Sequence, residues 1–300
     1  MLLGESMDLI QVKTILSSGH KDQWFGYDYN MNLYRGCSHG CIYCDSRSTC
    51  YQNNDFDHIK VKQNAIKILQ DELSRKRKKG VIGIGAMSDP YNPFEKKYMI
   101  TRQALDLIRQ YHFGIGITTK SDLVVRDIDL LKQINKFNDV IVKISITTIH
   151  DDLAVKIEPN VASSSKRFEA VKTLSEAGIF VGILLHPLIP FLCDDPNDIK
   201  TFVKKAYESG AKFIHTYYGM TLREGNREYF YKNLDIHFPD LKKKYQMRYG
   251  YEYHCKARHY KELRRMFESE CKKYGLLYRM KDIIVAYQTS KQEVTQLSLF

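Results

Sequence analysis

Between Asn30 and Tyr217 the chain alternates short apolar runs with amphipathic stripes, and that alternation limits its fold more than any other feature. Apolar runs at Asn30–Tyr34, Val81–Ala86, Gly114–Thr118, Val140–Thr147, Ile179–His186 and Ala211–Tyr217 have the length and β-branched content of buried strands. Between them lie helical stripes. Ala65, Ile66, Leu69 and Leu73 precede Gly80; Leu105, Ile108 and Tyr111 follow Thr101; Ile128, Leu131 and Ile134 follow Asp127. Phe168, Val171 and Leu174 lie between the Ser163–Ser165 run and Gly178, and Ile199, Phe202, Val203 and Ala206 precede Gly210. Such a repeat requires parallel strands with right-handed crossovers, so helices cover the sheet. Six strands of this kind make either an incomplete barrel or a doubly wound open sheet.

The organisation expected is an N-terminal segment (1–28), a core (29–218), a cap (219–289) and a polar tail (290–300). In the cap, Asn226–Phe238 and Cys255–Tyr274 read as helices and Leu276–Gln288 as a strand or extended packing segment. With 300 residues and 43% hydrophobic content the chain can bury a sizeable core. Seven cysteines, no leader pattern and no apolar stretch of about 18 residues suit a cytoplasmic chain with no membrane span.

Directly after the first strand comes Tyr34-Arg35-Gly36-Cys37-Ser38-His39-Gly40-Cys41-Ile42-Tyr43-Cys44. Cys37, Cys41 and Cys44 read as ligands of an iron–sulfur cluster, and because four-iron clusters normally take four thiolates, one iron is left for a reacting ligand. The alternative is a closed zinc site with His39 or Cys50 as fourth donor. Structural zinc usually joins two ligand pairs, and Cys193, Cys255 and Cys271 are isolated.

In parallel α/β folds the active site gathers at the carboxyl ends of the strands. The second strand ends in Gly83-Ile84-Gly85-Ala86-Met87-Ser88-Asp89-Pro90, the third in Thr118-Thr119-Lys120-Ser121 and the fourth in Ser145-Ile146-Thr147-Thr148. Ser88 and Asp89 serve equally as a ligand-binding pair or as a turn. A lysine at a strand end is commonly a snorkelling surface residue.

The cysteine loop, with Tyr43 before its third cysteine, resembles the signature of the radical S-adenosylmethionine (radical SAM) superfamily. Asn32-Leu33-Tyr34-Arg35-Gly36-Cys37 is similar to its spore photoproduct lyase-like, or DNA repair photolyase-like, group. The resemblance implies an α/β fold, a partial (β/α)6 barrel with a C-terminal helical and extended cap, and as cofactors a [4Fe–4S] cluster and S-adenosylmethionine (SAM). It implies Cys37, Cys41 and Cys44 as metal ligands, Ser88 and Asp89 at the amino acid end of SAM, Lys120 at its carboxylate, Ser145 at the ribose and Tyr43 near the adenine. Glu158 and Arg167 would form a rim ion pair or a second cofactor contact. The implied chemistry is reductive cleavage of SAM, by an electron from an external one-electron reductant, to a 5′-deoxyadenosyl radical that abstracts hydrogen.

The best-known member of that group uses a further cysteine near the end of the second strand as hydrogen donor, where this chain has Ala86, Met87 and Ser88. Cys193, on a proline-stiffened loop after the fifth strand, is the remaining cysteine placed for such a role, against the alternative of a buried apolar thiol. His186 reads as a core histidine.

A net charge of +11 suits an anionic partner such as DNA or a nucleotide. The run Arg75-Lys76-Arg77-Lys78-Lys79 is a solvated helix end. The ending Gln296-Leu297-Ser298-Leu299-Phe300 resembles the pentapeptide that docks bacterial polymerases and repair proteins on the DNA sliding clamp. Leu297, Leu299 and Phe300 would fill a groove and Gln296 would set the register. Two other readings stand beside a radical SAM enzyme of DNA: a zinc- or cluster-stabilised DNA-associated binding protein without turnover, and a radical SAM enzyme of a peptide or small metabolite.

Overall fold

The computed structural model describes residues 8–19, 24–53 and 55–289. The strands are β1 (Asp8–Ile10), β2 (Leu16–Ser18), β3 (Tyr29–Met31), β4 (Tyr34–Arg35), β5 (Lys60–Lys62), β6 (Val81–Ile84), β7 (Gly114–Thr119), β8 (Val140–Ser145), β9 (Phe180–Leu185), β10 (Ile214–Thr216), β11 (Gly219–Thr221) and β12 (His254–Lys256). The core helices are α1 (Ala65–Arg75), α2 (Glu95–Tyr98), α3 (Ile100–Gln110), α4 (Ile128–Ile134), α5 (Asp151–Ile157), α6 (Ser164–Glu176) and α7 (Pro196–Glu208). The cap contributes α8 (Asn226–His237), α9 (Leu241–Tyr249), α10 (Tyr260–Lys273) and α11 (Met280–Thr289).

A 7-stranded sheet runs in the order β10-β9-β8-β7-β6-β3-β2, parallel throughout except for the antiparallel edge pair β2–β3. Each core strand lies beside its predecessor and the order never reverses. Crossovers of one hand then put every connecting helix on the same face, which separates the incomplete barrel from the doubly wound sheet. Side-chain alternation agrees. Ile82, Ile84, Ile115, Ile117, Val142, Ile144, Val181 and Ile183 pack outward on Leu69, Leu105, Ile108, Leu131, Val171 and Val203 of the helices.

The concave face carries the other half of each strand. Gly83, Gly116 and Gly182 leave room where the Tyr27 ring lies against the first two and the Phe213 ring against the third. Phe25, Tyr27, Ile141, Leu184, Phe213, Ile283 and Tyr287 form one buried cluster there. Lys143 is wholly buried, its amine donating to the Tyr27 hydroxyl and lying 4.6 Å from the Phe25 ring centre. Burial alone pushes its pKa well below that of a free lysine.

Three expectations need correction. Asn30–Tyr34 is not one strand: Tyr29–Met31 joins the large sheet, whereas Tyr34–Arg35 turns away to pair with β5, which also pairs with β1. The N-terminal segment supplies two strands. Leu276–Gln288 is not extended; Met280, Ile283, Ile284 and Tyr287 recur at helical spacing on one face of α11, and Leu277 alone bridges to Phe213. Finally, Cys255 lies in β12, so the second cap helix begins only at Tyr260 and α9 precedes it. Among the described residues no helix is long and apolar enough to cross a membrane. The tail with Gln296, Leu297, Leu299 and Phe300 lies outside the described residues.

Candidate active site

The cysteine loop leaves β4 through Gly36, whose φ of +84° and whose approach to the carbonyls of Phe56 and His58 exclude a side chain. Two segments then pin it. The Cys37 amide donates to Phe56 O at 2.8 Å, on the side of β5. On the other side the Ile42 amide donates to Ile157 O at 3.0 Å, the Asn160 amide to His39 O at 3.2 Å and the Asn160 side chain to Ser38 O at 2.9 Å. The cysteines are thus fixed by backbone hydrogen bonds from segments far away in sequence.

Cys37, Cys41 and Cys44 line one cavity of about 100 Å³ together with the ends of three consecutive strands: Gly85–Asp89 after β6, Thr118–Lys120 of β7 and its exit, and Ser145 of β8. Of the residues expected at the site, the structure brings Ser88, Asp89, Lys120 and Ser145 to this wall. Asp89 builds a turn and clasps the next strand. Its Oδ1 accepts from Thr119 Oγ1 at 2.6 Å and from the Tyr91 amide at 2.9 Å, and its Oδ2 accepts from the Lys120 amide at 2.7 Å. That locks the β6 and β7 exits together. Ser88 donates weakly to Tyr34 O at 3.4 Å.

Tyr43, Glu158 and Arg167 stand behind the wall instead of in it. The ion pair expected at the rim is formed beneath it: Arg167 Nη2 lies 2.6 Å from Glu158 Oε2 with both side chains 0% exposed. Tyr43 donates to Glu158, Thr147 Oγ1 donates to it at 2.8 Å, and Arg167 Nη1 donates to Ser145 O at 2.8 Å. Burial would raise the Glu158 carboxyl, but Arg167 and Lys120 outweigh it and hold it below the usual glutamate range. Lys120 is kept charged in turn: burial lowers it, and the Cys41 and Glu158 charges raise it further. Its ammonium lies 5.7 Å from the Tyr43 ring centre.

Cys193 does not line this cavity. It is buried beside Thr147, Ile199 and Phe202 in a separate, narrower cleft, and burial pushes its thiol far up. Met87 lines the cavity wall in the stretch where the resembled group carries its donor cysteine. His39, weighed in the sequence as a zinc donor, turns its Nδ1 to within 3.6 Å of Asp89 Oδ2. Sequence reasoning missed Thr147 as the second donor to Glu158, since nothing local marks it.

The donor set fits a cluster. Among the described residues no three His, Cys, Asp or Glu side chains converge closely enough to hold one metal ion. A four-iron cluster binds each thiolate to a different iron, and three free thiols from one loop on one cavity wall suit that donor set. Burial raises the Cys41 and Cys44 thiols, whereas at Cys37 the His39 hydrogen bond and charge outweigh burial and lower it.

The sequence model of the radical SAM superfamily matches residues 31–206. An uncharacterized protein of Methanocaldococcus jannaschii is 38% identical over 172 residues, 56% of this chain and 63% of the relative. One of Mycobacterium tuberculosis is 26% identical over 230 residues, 74% of this chain and 67% of the relative. The chain thus spans less than two thirds of the archaeal relative. Among solved structures, spore photoproduct lyase complexed with dinucleoside spore photoproduct superposes with a TM-score of 0.67 at 15% identity, covering 91% of this chain and 81% of that one. That likeness is one of fold. With a family match over more than half its length, carried on the strands that frame the three cysteines, this chain belongs to the radical SAM superfamily.

Proposed function

We propose that this radical SAM enzyme acts by hydrogen abstraction on DNA or a nucleotide, in a repair-like, lyase-type reaction, and that its tail delivers it to the DNA sliding clamp. The observation that carries the reading is the meeting of three thiols from one loop with the polar ends of three consecutive strands in one cavity. When bound there, a [4Fe–4S] cluster and SAM supply one-electron cleavage of the sulfonium and hydrogen abstraction.

The chain's own residues do the rest. Cys37, Cys41 and Cys44 hold the cluster. Ser88 and Asp89 orient the amino acid end of SAM, Lys120 neutralises its carboxylate, and Ser145 faces its ribose. Tyr43, Thr147, Glu158 and Arg167 brace this wall from behind, since the buried carboxylate accepts from Tyr43, Thr147 and Arg167 together and tolerates few other arrangements. The net charge of +11 supports an anionic substrate. The mouth needs an external one-electron reductant.

Anaerobic reconstitution with iron and sulfide, followed by dithionite and SAM, tests this. Visible iron–sulfur absorption and formation of 5′-deoxyadenosine and methionine are expected. A chain that takes tetrahedral zinc, shows no such absorption and leaves SAM intact would sink the enzyme reading. Clamp pull-down with and without Gln296–Phe300 tests the tail, and binding that survives its removal rejects the clamp role.

A further inference from the structure

A row of rings crosses the molecular surface beside the active-site mouth. From Trp24 it passes to His186 at 6.5 Å between ring centres, to Tyr217 at 5.9 Å, to His254 at 6.2 Å and to Tyr253 at 4.3 Å. These residues come from the N-terminal segment, the exits of β9 and β10, and the cap. Trp24 is 42%, Tyr217 36% and Tyr253 39% exposed. Neighbouring rings meet at 54–63°. Their faces are therefore not used up on one another.

The row is held in place. The Tyr217 hydroxyl shares a 2.8 Å hydrogen bond with His254 Nδ1, and Arg223 covers the Tyr253 ring at 4.6 Å while donating to its hydroxyl. Arg223 also pairs with Asp45 at 3.1 Å, the residue after Cys44, so this end of the row abuts the cysteine loop.

At His254 the row opens into a cleft of about 640 Å³ in the cap, with Arg248, Lys256, Lys261 and Arg265 on its walls and Glu252 and Glu262 as its acids. Among the described residues none of these four cations makes an ion pair. Cations without an ion pair beside partly exposed rings match an alternation of phosphates and unstacked bases. A folded protein partner would instead ask for a contiguous apolar centre. In a duplex the bases are stacked on one another and their faces are not available to the row.

We propose that the Trp24–Tyr217–Tyr253 row and the Arg248–Lys256–Lys261–Arg265 cleft form one track that binds single-stranded DNA and leads it to the mouth of the cysteine cavity. The proposal rests on the nucleic-acid reading above and adds the surface and the strandedness. Stacking supplies affinity without sequence preference, and the cleft supplies salt dependence.

Fluorescence anisotropy on the full, anaerobically reconstituted chain tests it, with labelled dT15, rU15 and a 15-base-pair duplex. The expected result is preference for dT15. Replacing Arg248, Lys256, Lys261 and Arg265 together by Gln should flatten the log–log salt slope by about 3, at roughly 0.7 per phosphate for single strands. Tyr217→Ala with Tyr253→Ala should weaken binding about tenfold or more, and the Phe versions of both should restore it, because the ring and not the hydroxyl stacks. Unchanged affinity and salt slope in the Gln variant, failure of Phe to restore binding, preference for the duplex, or binding of rU15 alone would each overturn the track. SAM cleavage by the wild-type chain, measured without oligonucleotide, separates the two claims. Cleavage without dT15 binding removes the track and leaves the enzyme, and binding without cleavage does the reverse.

Discussion

Breaking the Arg167–Glu158 pair provides the sharpest quantitative check on how the site is held. Both groups are fully buried and 2.6 Å apart. Arg167→Met would leave a carboxylate with only Tyr43 and Thr147 as donors, and would free Ser145 O from its guanidinium. Removing one member of a buried pair costs about 3–5 kcal/mol, because the remaining charge is uncompensated. Glu158→Gln keeps the shape but strands the guanidinium, at a similar cost. In the double variant both charges of the pair are gone and Lys120 is the cation left beside the site, and replacing a buried pair by neutral groups is commonly close to neutral. The cycle should therefore give a coupling of at least about 3 kcal/mol. Urea unfolding of the four iron-free, reduced chains, followed by circular dichroism, measures it. Costs that add to within about 0.5 kcal/mol would show that the two groups do not act as a unit. Because Ile157 and Asn160 flank Glu158 and hold the cysteine loop, each single variant should also take up less iron than the double one.

Single Cys37→Ala, Cys41→Ala and Cys44→Ala variants should each lose iron–sulfur absorption and SAM cleavage while keeping the far-ultraviolet spectrum, and retention of cleavage by any of them would refute its role as a ligand. Lys143 has a pKa held well below the free-lysine value of 10.5, so over that interval the unfolded chain binds a proton that the folded chain does not, and stability rises with pH by about 1.4 kcal/mol per unit. Lys143→Met should flatten the stability–pH slope by that amount in the range just below pH 10.5, and unchanged slopes would mean the lysine is charged when folded. Gly116→Ala would drive a methyl into the Tyr27 ring, whose hydroxyl is held by Lys143. Overpacking should cost about 1–3 kcal/mol in urea unfolding, and a neutral effect would show that the ring has room to move.

The core was legible because its signals are local. Val140–Thr147 and Ile179–His186 are apolar runs between helical stripes, and the observed strands Val140–Ser145 and Phe180–Leu185 fall inside them. Leu16–Ser18 was not legible, since a three-residue edge strand with two exposed serines has no period to detect. The β-branched run Ile283-Ile284-Val285 favoured an extended reading of what packing makes a helix. At the site, the cysteine spacing and the strand-end polar residues lie within short windows. The Tyr43–Glu158 contact spans 115 residues and the Tyr43–Thr147 contact 104, and no motif announces such pairs. The aromatic row escaped for the same reason: its rings come from several separate stretches of chain.

The rings of Tyr27 and Phe213, admitted by three glycines, close the amino-terminal end of the barrel with a dry floor. The barrel is therefore a chamber floored by rings at one end and lined at the other by the cysteine loop and the polar strand ends. A chamber of this kind takes a protruding group and not a flat surface, so a base stacked within a duplex would first have to be turned out of its helix.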